Sequence, residues 1–400
     1  MDPAILRSAC PEKQLLVCCA RTRADGDLAS RIRSLAAGPL DWDYLLAQAA
    51  EHSVIALLER NLRDSAAEIL SANYVAGLQA AMRVHAMRCL AQTSELVRVA
   101  GLLKSRGIRV LPYKGPVIAA QAYGDITARQ FEDLDIILSQ QDLPAADAAV
   151  RSLGYEPRFP WIHSSEAKSI VPGEYNYLNP ARQTILELHT EATLRHFPVQ
   201  ANLPEFFDGA VSVDLGGQSV RTFRPEDALS VYCIHGAKDF WSRLVWVADI
   251  AELLRAFPDL DWDAALRISA QLRAERMLHL GLALAAGILD APVPNEIMAR
   301  VKADSGASVL AEDVSARLLD HDARGRTARD RFRFRRQAVQ GSATGWRYAM
   351  RLTLAPAEED WQRSKLPPSL APFQVALRPF RLLRKYGWTS KESSDTPRAR

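Results

Sequence analysis

What the chain lacks narrows the field first. Its five cysteines, Cys10, Cys18, Cys19, Cys89 and Cys233, form no Cys-x-x-Cys pair and no disulfide-like spacing. That excludes a zinc ribbon or a disulfide scaffold and predicts reduced thiols, most of them in the core. No window reaches the roughly 18 apolar residues of a spanning helix. Asp2, Glu12 and Lys13 surround only a brief apolar run, so a cytoplasmic protein with no membrane partner is expected. An excess of one charge is missing too: 50 basic side chains against 47 acidic ones leave a net charge of +3, which excludes a global field for nucleic acid and leaves only local basic patches. No motif recurs at a fixed period, which excludes a repeat array. What remains is 400 residues, 48% apolar and 24% charged, a composition able to bury a large core in two or three domains.

The informative stretch is IRVLPYKGPVIAAQAYGDITARQFEDLDIIL, residues 108–138. An apolar strand from Ile108 to Tyr113 leads into a turn at Lys114-Gly115, a short helix from Pro116, a polar loop, and a second strand carrying Asp133 and Asp135. Aspartates at i and i+2 of a strand project from one face about 6.6 Å apart. Their mutual repulsion asks for a cation between them, and a hard divalent ion with oxygen ligands, Mg²⁺ or Mn²⁺, fits that chemistry. At the turn, Gly115 permits close backbone approach and Pro116 suits the first position of a helix. Amides at that helix start, with Lys114 beside them, are expected to attract a phosphate.

Helical periodicity runs from about Glu12 to Ser105, with Asp41 as an N-cap, and His52 and His85 read as ordinary helix histidines. Gly107 and Gly154 suit helix ends around the 108–138 unit. In RQTILELHT, Ile185, Glu187 and His189 share one strand face, which without the upstream aspartates reads first as a half-buried strand with a solvated side. From Pro225, His235, Asp239, Ser242, Trp246 and Asp249 fall at spacings of four, three, four and three and predict one stripe along one helix, flanked by Lys238 and Arg243. The run from Arg324 to Arg336 is basic with Phe332 and Phe334 interleaved. It suits nucleic-acid phosphates and bases, or a solvated helix face with two buried rings, and the near-neutral whole favours the second. A proline-bounded element over 366–387 and a polar tail, expected to be disordered, close the chain. The domains expected are a helical lobe (1–105), an α/β core (106–222), a second helical domain (223–320), a basic and proline-bounded element (321–388) and the tail (389–400).

Lys114-Gly115, then Tyr123-Gly124-Asp125 with Arg129, then Asp133-Leu134-Asp135, resembles the uncharacterised nucleotidyltransferase family of the DNA polymerase β-like superfamily. The resemblance implies an α+β fold, with a small mixed-sheet core embedded between helical segments in a mostly helical chain. It implies a nucleotidyltransferase that takes an NTP, ATP favoured, with Mg²⁺ or Mn²⁺ held by Asp133, Asp135 and Glu187, since Glu187 matches the family's apolar-Glu-apolar-His piece. Lys114, Gly115 and Arg129 would grip the triphosphate, and His189 would touch the nucleotide or orient Glu187. Lys238 lies on a helix the family shares for nucleotide contacts. Two departures stand out. Asp239 occupies a position where a second histidine is expected, and Pro116 replaces the superfamily's serine, so that Thr127 is the remaining candidate for a phosphate-facing hydroxyl. The acceptor is a hydroxyl not written in the residues; relatives of this kind are associated with polysaccharide and ribosomally made peptide pathways, lasso peptides among them. The alternatives are kinase-like γ-phosphoryl transfer, a non-catalytic nucleotide-binding partner, and a transferase acting on transfer RNA ends.

Overall fold

In the computed structural model, residues 9–70, 72–158, 173–191, 203–318 and 327–340 are described, with 346 and 350 as isolated positions. The proline-bounded element and the tail lie outside these residues. Two periodicities build everything else. Spacings of three and four give helices α1 (Pro11–Cys19), α2 (Gly26–Ala36), α3 (Trp42–Glu51), α4 (Ile55–Ala66) and the long α5 (Ala72–Ser105). The α/β segment follows: β1 (Val110–Tyr113), α6 (Gly115–Tyr123), β2 (Asp133–Leu138), α7 (Leu143–Ser152), β3 (Glu156–Pro157), β4 (Glu174–Asn179), β5 (Thr184–His189), α8 (Leu203–Asp208), β6 (Val211–Asp214) and β7 (Ser219–Thr222). Helices α9 (Pro225–Lys238), α10 (Leu244–Ala256), α11 (Trp262–Gln271), α12 (Glu275–Leu289), α13 (Asn295–Ala303), α14 (Ser305–Leu318) and α15 (Ala328–Ala338) complete it. The fold is mixed α+β, mostly helical around a small mixed sheet.

That sheet has the order β1-β2-β5-β4-β3, and β6 and β7 form a separate hairpin. Strand β2 runs parallel to β5, while β1–β2, β4–β5 and β3–β4 are antiparallel. Alternation divides the faces. Leu134, Ile136, Leu138, Leu186 and Leu188 pack with Leu96, Val99 and Leu103 of α5 and Val150 of α7 in one core. Leu111, Tyr113 and Ile137 on the other face join a second core shared by α1 to α4 and α9 to α15. The N-terminal and C-terminal helices, separated in sequence by the sheet, therefore close over the same face, the one that carries the acidic residues.

Local signals operate as their chemistry dictates. The Asp41 carboxylate accepts from the Tyr44 amide at 2.9 Å, an N-cap. Gly107 and Gly154 take φ of +76° and +87°, ending α5 and α7.

The expected single helix from Pro225 is instead two. Helix α9 ends at Lys238, Phe240 and Trp241 take φ of 64° and 51°, and α10 starts at Leu244. Burial of one ring wins over helical continuity: Trp241 is fully buried, and a Cβ on Gly236 would lie 2.6 Å from it. The predicted stripe is accordingly folded back on itself. Helix α15 carries residues 328–336 of the basic run, of which residues 324–326 lie outside the described residues. Phe334 is buried edge-on to Phe240 at 5.5 Å, and Arg335 stacks 4.7 Å over Phe240 while donating to the Lys238 carbonyl at 2.9 and 2.7 Å, capping α9.

Candidate active site

Sheet register assembles the site. Tyr113 stands opposite Asp135, Asp135 opposite Glu187, and Glu187 opposite Asn176, one row across four strands. Two residues along, Ile137 pairs with His189 and His189 with Glu174. Because β2 and β5 are parallel neighbours, the Asp-x-Asp and Glu-x-His pieces need no loop to meet.

Asp135 is the centre, only 2% exposed. Its Oδ1 accepts from Lys114 Nζ at 2.7 Å and lies 3.0 Å from His189 Nε2. Its Oδ2 is buried with no hydrogen-bond partner among the described residues. His189 Nε2 is also 3.4 Å from Glu187 Oε2, and ligand atoms of Asp135, Glu187 and His189 all lie within 4.8 Å of one another. Burial works against a charged His189, but its bonds to Asp135 and Glu187 outweigh that and raise its pKa to about 9. Burial likewise opposes the charges on Asp135 and Lys114. Their attraction prevails, holding the carboxyl below and the ammonium above their ordinary values.

Asp133 is differently placed. At the start of β2 it stands outside the close set, and repulsion from Asp135, with burial adding to it, raises its pKa to about 7. The excess of negative charge, together with the orphaned buried Oδ2 of Asp135, is the environment a divalent cation relieves. An all-oxygen set from Asp133, Asp135 and Glu187 suits Mg²⁺ or Mn²⁺. The residues present fit such an ion, with His189 and Lys114 in contact with the carboxylates.

Several residues lie differently from the sequence reading. Lys114, expected to face a phosphate, holds Asp135; it sits in the positive-φ region at +56°, followed by Gly115 at +43°, so the chain turns sharply over β2. A Cβ on Gly115 would meet the Asp133 carbonyl at 3.4 Å, so the close approach is to β2 itself. The amides of Val117 and Ile118 already donate to the Lys114 carbonyl at 2.9 and 3.3 Å, leaving the helix start less to offer a phosphate than anticipated. Arg129, expected at the triphosphate, is buried against Asp249 of α10: Nε to Oδ1 and Nη2 to Oδ2, both 2.7 Å. Tyr123 donates to the same Oδ1 at 2.7 Å. The Thr127 hydroxyl and amide both bond Asp125 Oδ1 at 2.8 Å, and Arg60 pairs with the other oxygen of Asp125. The Tyr-Gly-Asp and Arg motif is thus an architectural clasp beside the site. His189, 3% exposed, lies between Asp135 and Glu187, its Nε2 3.0 and 3.4 Å from their oxygens.

Helix α9 brings its own groups. Burial, reinforced by Lys114 and Lys238, pushes His235 well below its ordinary value, and its ring meets Trp246 edge-on at 5.3 Å. Asp239, the departure from the expected histidine, lies 3.4 Å from His235 Nδ1 and 3.7 Å from Lys238 Nζ. Glu174 was missed from sequence. Burial opposes its charge, yet His189, Lys238 and Lys114 keep its pKa low. Only the strand pairing that sets Glu174 opposite His189 could have signalled it, and that pairing is not local in sequence.

A sequence profile of the family described as "Uncharacterised nucleotidyltransferase" matches residues 38–290, and the chain belongs to that family. Membership supports a general nucleotidyl-transfer activity. No curated protein matches. Among solved structures, the chain is similar to an antigenic nucleotidyltransferase-like protein from Paracoccidioides brasiliensis, at 17% identity and a TM-score of 0.32, over 51% of this chain and 94% of that one. No helix of the described residues is long and apolar enough to cross a membrane.

Proposed function

We propose that this protein transfers a nucleoside monophosphate from an NTP, with ATP favoured, to a hydroxyl on a small-molecule, saccharide or peptide acceptor. The observation that carries this reading is the buried Asp135, whose Oδ2 has no partner although Glu187 and Asp133 crowd it with like charge. Asp133, Asp135 and Glu187 would hold Mg²⁺ or Mn²⁺. When bound, such an ion offsets charge on the triphosphate and lowers the pKa of the attacking hydroxyl.

The chain's own groups do the rest. Lys114, with three ammonium protons and one given to Asp135, adds positive charge for the pyrophosphate that leaves as the acceptor oxygen bonds the α-phosphorus. His189 fixes Asp135 and Glu187 relative to each other. The Glu187 side chain is 18% exposed against 1% for Asp135, so Glu187 is the carboxylate an acceptor can reach and the one suited to take its proton. Lys238 supplies further positive charge at the mouth, and the Arg129 clasp keeps the loop before β2 in place.

Kinase-like γ-phosphoryl transfer is the second reading. It is favoured by one observation: the amides after Pro116 are already bonded to Lys114, so the usual Gly-Ser phosphate cradle is missing.

Isothermal titration of ATP, GTP, CTP and UTP with and without Mg²⁺ tests the proposal, on wild type and on Asp133→Asn/Asp135→Asn. We expect Mg²⁺-dependent affinity for at least one triphosphate, weakened tenfold or more in the double variant. Equal binding by wild type and variant, or none by either, overturns it. With an acceptor in hand, retention of α-labelled phosphorus on the product means nucleotidyl transfer, and γ-label means phosphoryl transfer.

A further inference from the structure

A cavity lies away from the carboxylates. It has a volume of about 610 Å³ and is bounded by the C-terminal part of α5, the outer edge of β1, and β7 with α8. Its size falls within the range of about 300–1,000 Å³ usual for small-molecule sites.

Its lining has two characters. Val97, Ala100, Ile108, Val110 and Val220 give an apolar floor. Lys104, Arg109 and Arg221 stand around it, and among the described residues no lining residue is acidic. In a chain whose charges nearly balance, three cations without a carboxylate over an apolar floor form a local electrostatic bias. Arg109 is held over the Phe207 ring at 5.0 Å and pairs with Asp208 outside the cavity at 2.8 Å. That pair is solvent-exposed, 58% and 73%, so a ligand anion competes with it at little cost. Arg221 donates Nη2 to the Phe207 and Ala210 carbonyls at 3.2 and 3.0 Å, which fixes its guanidinium at the rim.

Gly101 is one of the lining residues. It lies within the 34-residue α5, where glycine costs about 1 kcal/mol relative to alanine. Close packing usually explains such a glycine, but a Cβ there would meet nothing within 4 Å. The space it leaves open is part of this cavity.

We propose that this cavity binds an amphipathic anion, a molecule with an apolar body and a single carboxylate or phosphate head, at a site separate from the one built on Asp135. The body would lie on the Val97–Val220 floor and the head among Lys104, Arg109 and Arg221. The inference does not depend on the nucleotidyl-transfer reading.

The test uses the full chain and calorimetric titration with decanoate, decyl phosphate, decanol and inorganic phosphate, each below its aggregation concentration. We expect one molecule of decanoate or decyl phosphate per chain, decanol at least tenfold weaker, and no measurable binding of inorganic phosphate. The stronger of the two amphiphiles identifies the head group. Gly101→Leu places a side chain in the open space and should weaken binding tenfold or more at a thermal midpoint no lower than wild type; Arg109→Gln should weaken the anions and leave decanol unaffected. Failure of both amphiphiles to bind, decanol binding as tightly as decanoate, or full affinity in Gly101→Leu overturns the proposal. NTP binding measured on Gly101→Leu should match wild type, which separates this site from the carboxylate site.

Discussion

Asp135 and Asp249 are almost equally buried, 2% and 4% exposed, and each meets a cation, yet they are held in opposite ways. Asp249 has both oxygens matched: Arg129 grips it bidentately and Tyr123 adds a third bond. Asp135 takes Lys114 and His189 on one oxygen, leaves the other unpartnered, and has Asp133 and Glu187 as like-charged neighbours. The difference separates architecture from function. A buried carboxylate with matched donors on every oxygen is complete within the fold, whereas one with an oxygen left over beside other carboxylates is where the proposed cation would act.

The largest expected effect breaks the comparison if it fails. Asp249→Ala leaves the buried Arg129 guanidinium unpaired and should destabilise the protein by about 3–5 kcal/mol in urea unfolding. Asp135→Asn should cost less than half as much, because Asp133 and Glu187 remain beside Lys114 and His189 and their repulsion is relieved. An equal or reversed order would mean that Asp135 is a structural ion pair. Next in size, Tyr123→Phe removes one bond to a charged partner and should cost about 1.5 kcal/mol. Nucleotide affinity should be unchanged; a parallel loss of affinity would put the Tyr123–Arg129–Asp249 clasp in the site itself.

The same contrast explains how much of the molecule was legible from the chain. Strands β2 and β5, the turn at Lys114-Gly115 and the caps at Asp41, Gly107 and Gly154 rest on local signals, periods of two or single-residue backbone preferences, and these read directly from sequence. The make-up of the acidic cluster did not: His189, not Asp133, sits closest to Asp135 and Glu187, because parallel pairing sets Asp135 opposite Glu187. Arg129 and Asp249 are 120 residues apart, so nothing local distinguishes a guanidinium that meets a phosphate from one that meets a distant aspartate. The contact of Lys114 with Asp135 was hidden for a related reason, since that partner lies 21 residues on, across the turn. The break between α9 and α10 was hidden because the polar spacing continues through it. What ends the helix is Trp241 finding room against Gly236 and Gly281, a fact of tertiary packing.

Glu95 extends the comparison to a third buried carboxylate and gives its smallest test. It accepts from Arg98 at 2.6 and 2.8 Å and from Tyr155 at 2.8 Å, with Arg182 at 3.3 Å, so like Asp249 it is complete within the fold. Burial opposes its charge, but the bonds from Arg98 and Tyr155 prevail and hold its pKa below the ordinary glutamate value. A carboxyl with a lowered folded pKa contributes stability that is complete above its unfolded value, about 4.3, and is lost as pH falls through the folded one. The stability gap between wild type and Glu95→Gln should therefore be full at pH 7 and shrink steadily below about pH 4. It should be smaller than the Asp249 effect, because Arg98 and Arg182 are 34% and 53% exposed and water screens them. Urea titrations of both proteins between pH 2.5 and pH 7, on the order of one per half unit, read the gap directly. If it stays constant down to the lowest pH, protonation of Glu95 is not linked to folding, and the match between donors and carboxylate oxygens is not what stabilises this part of the helix–sheet core.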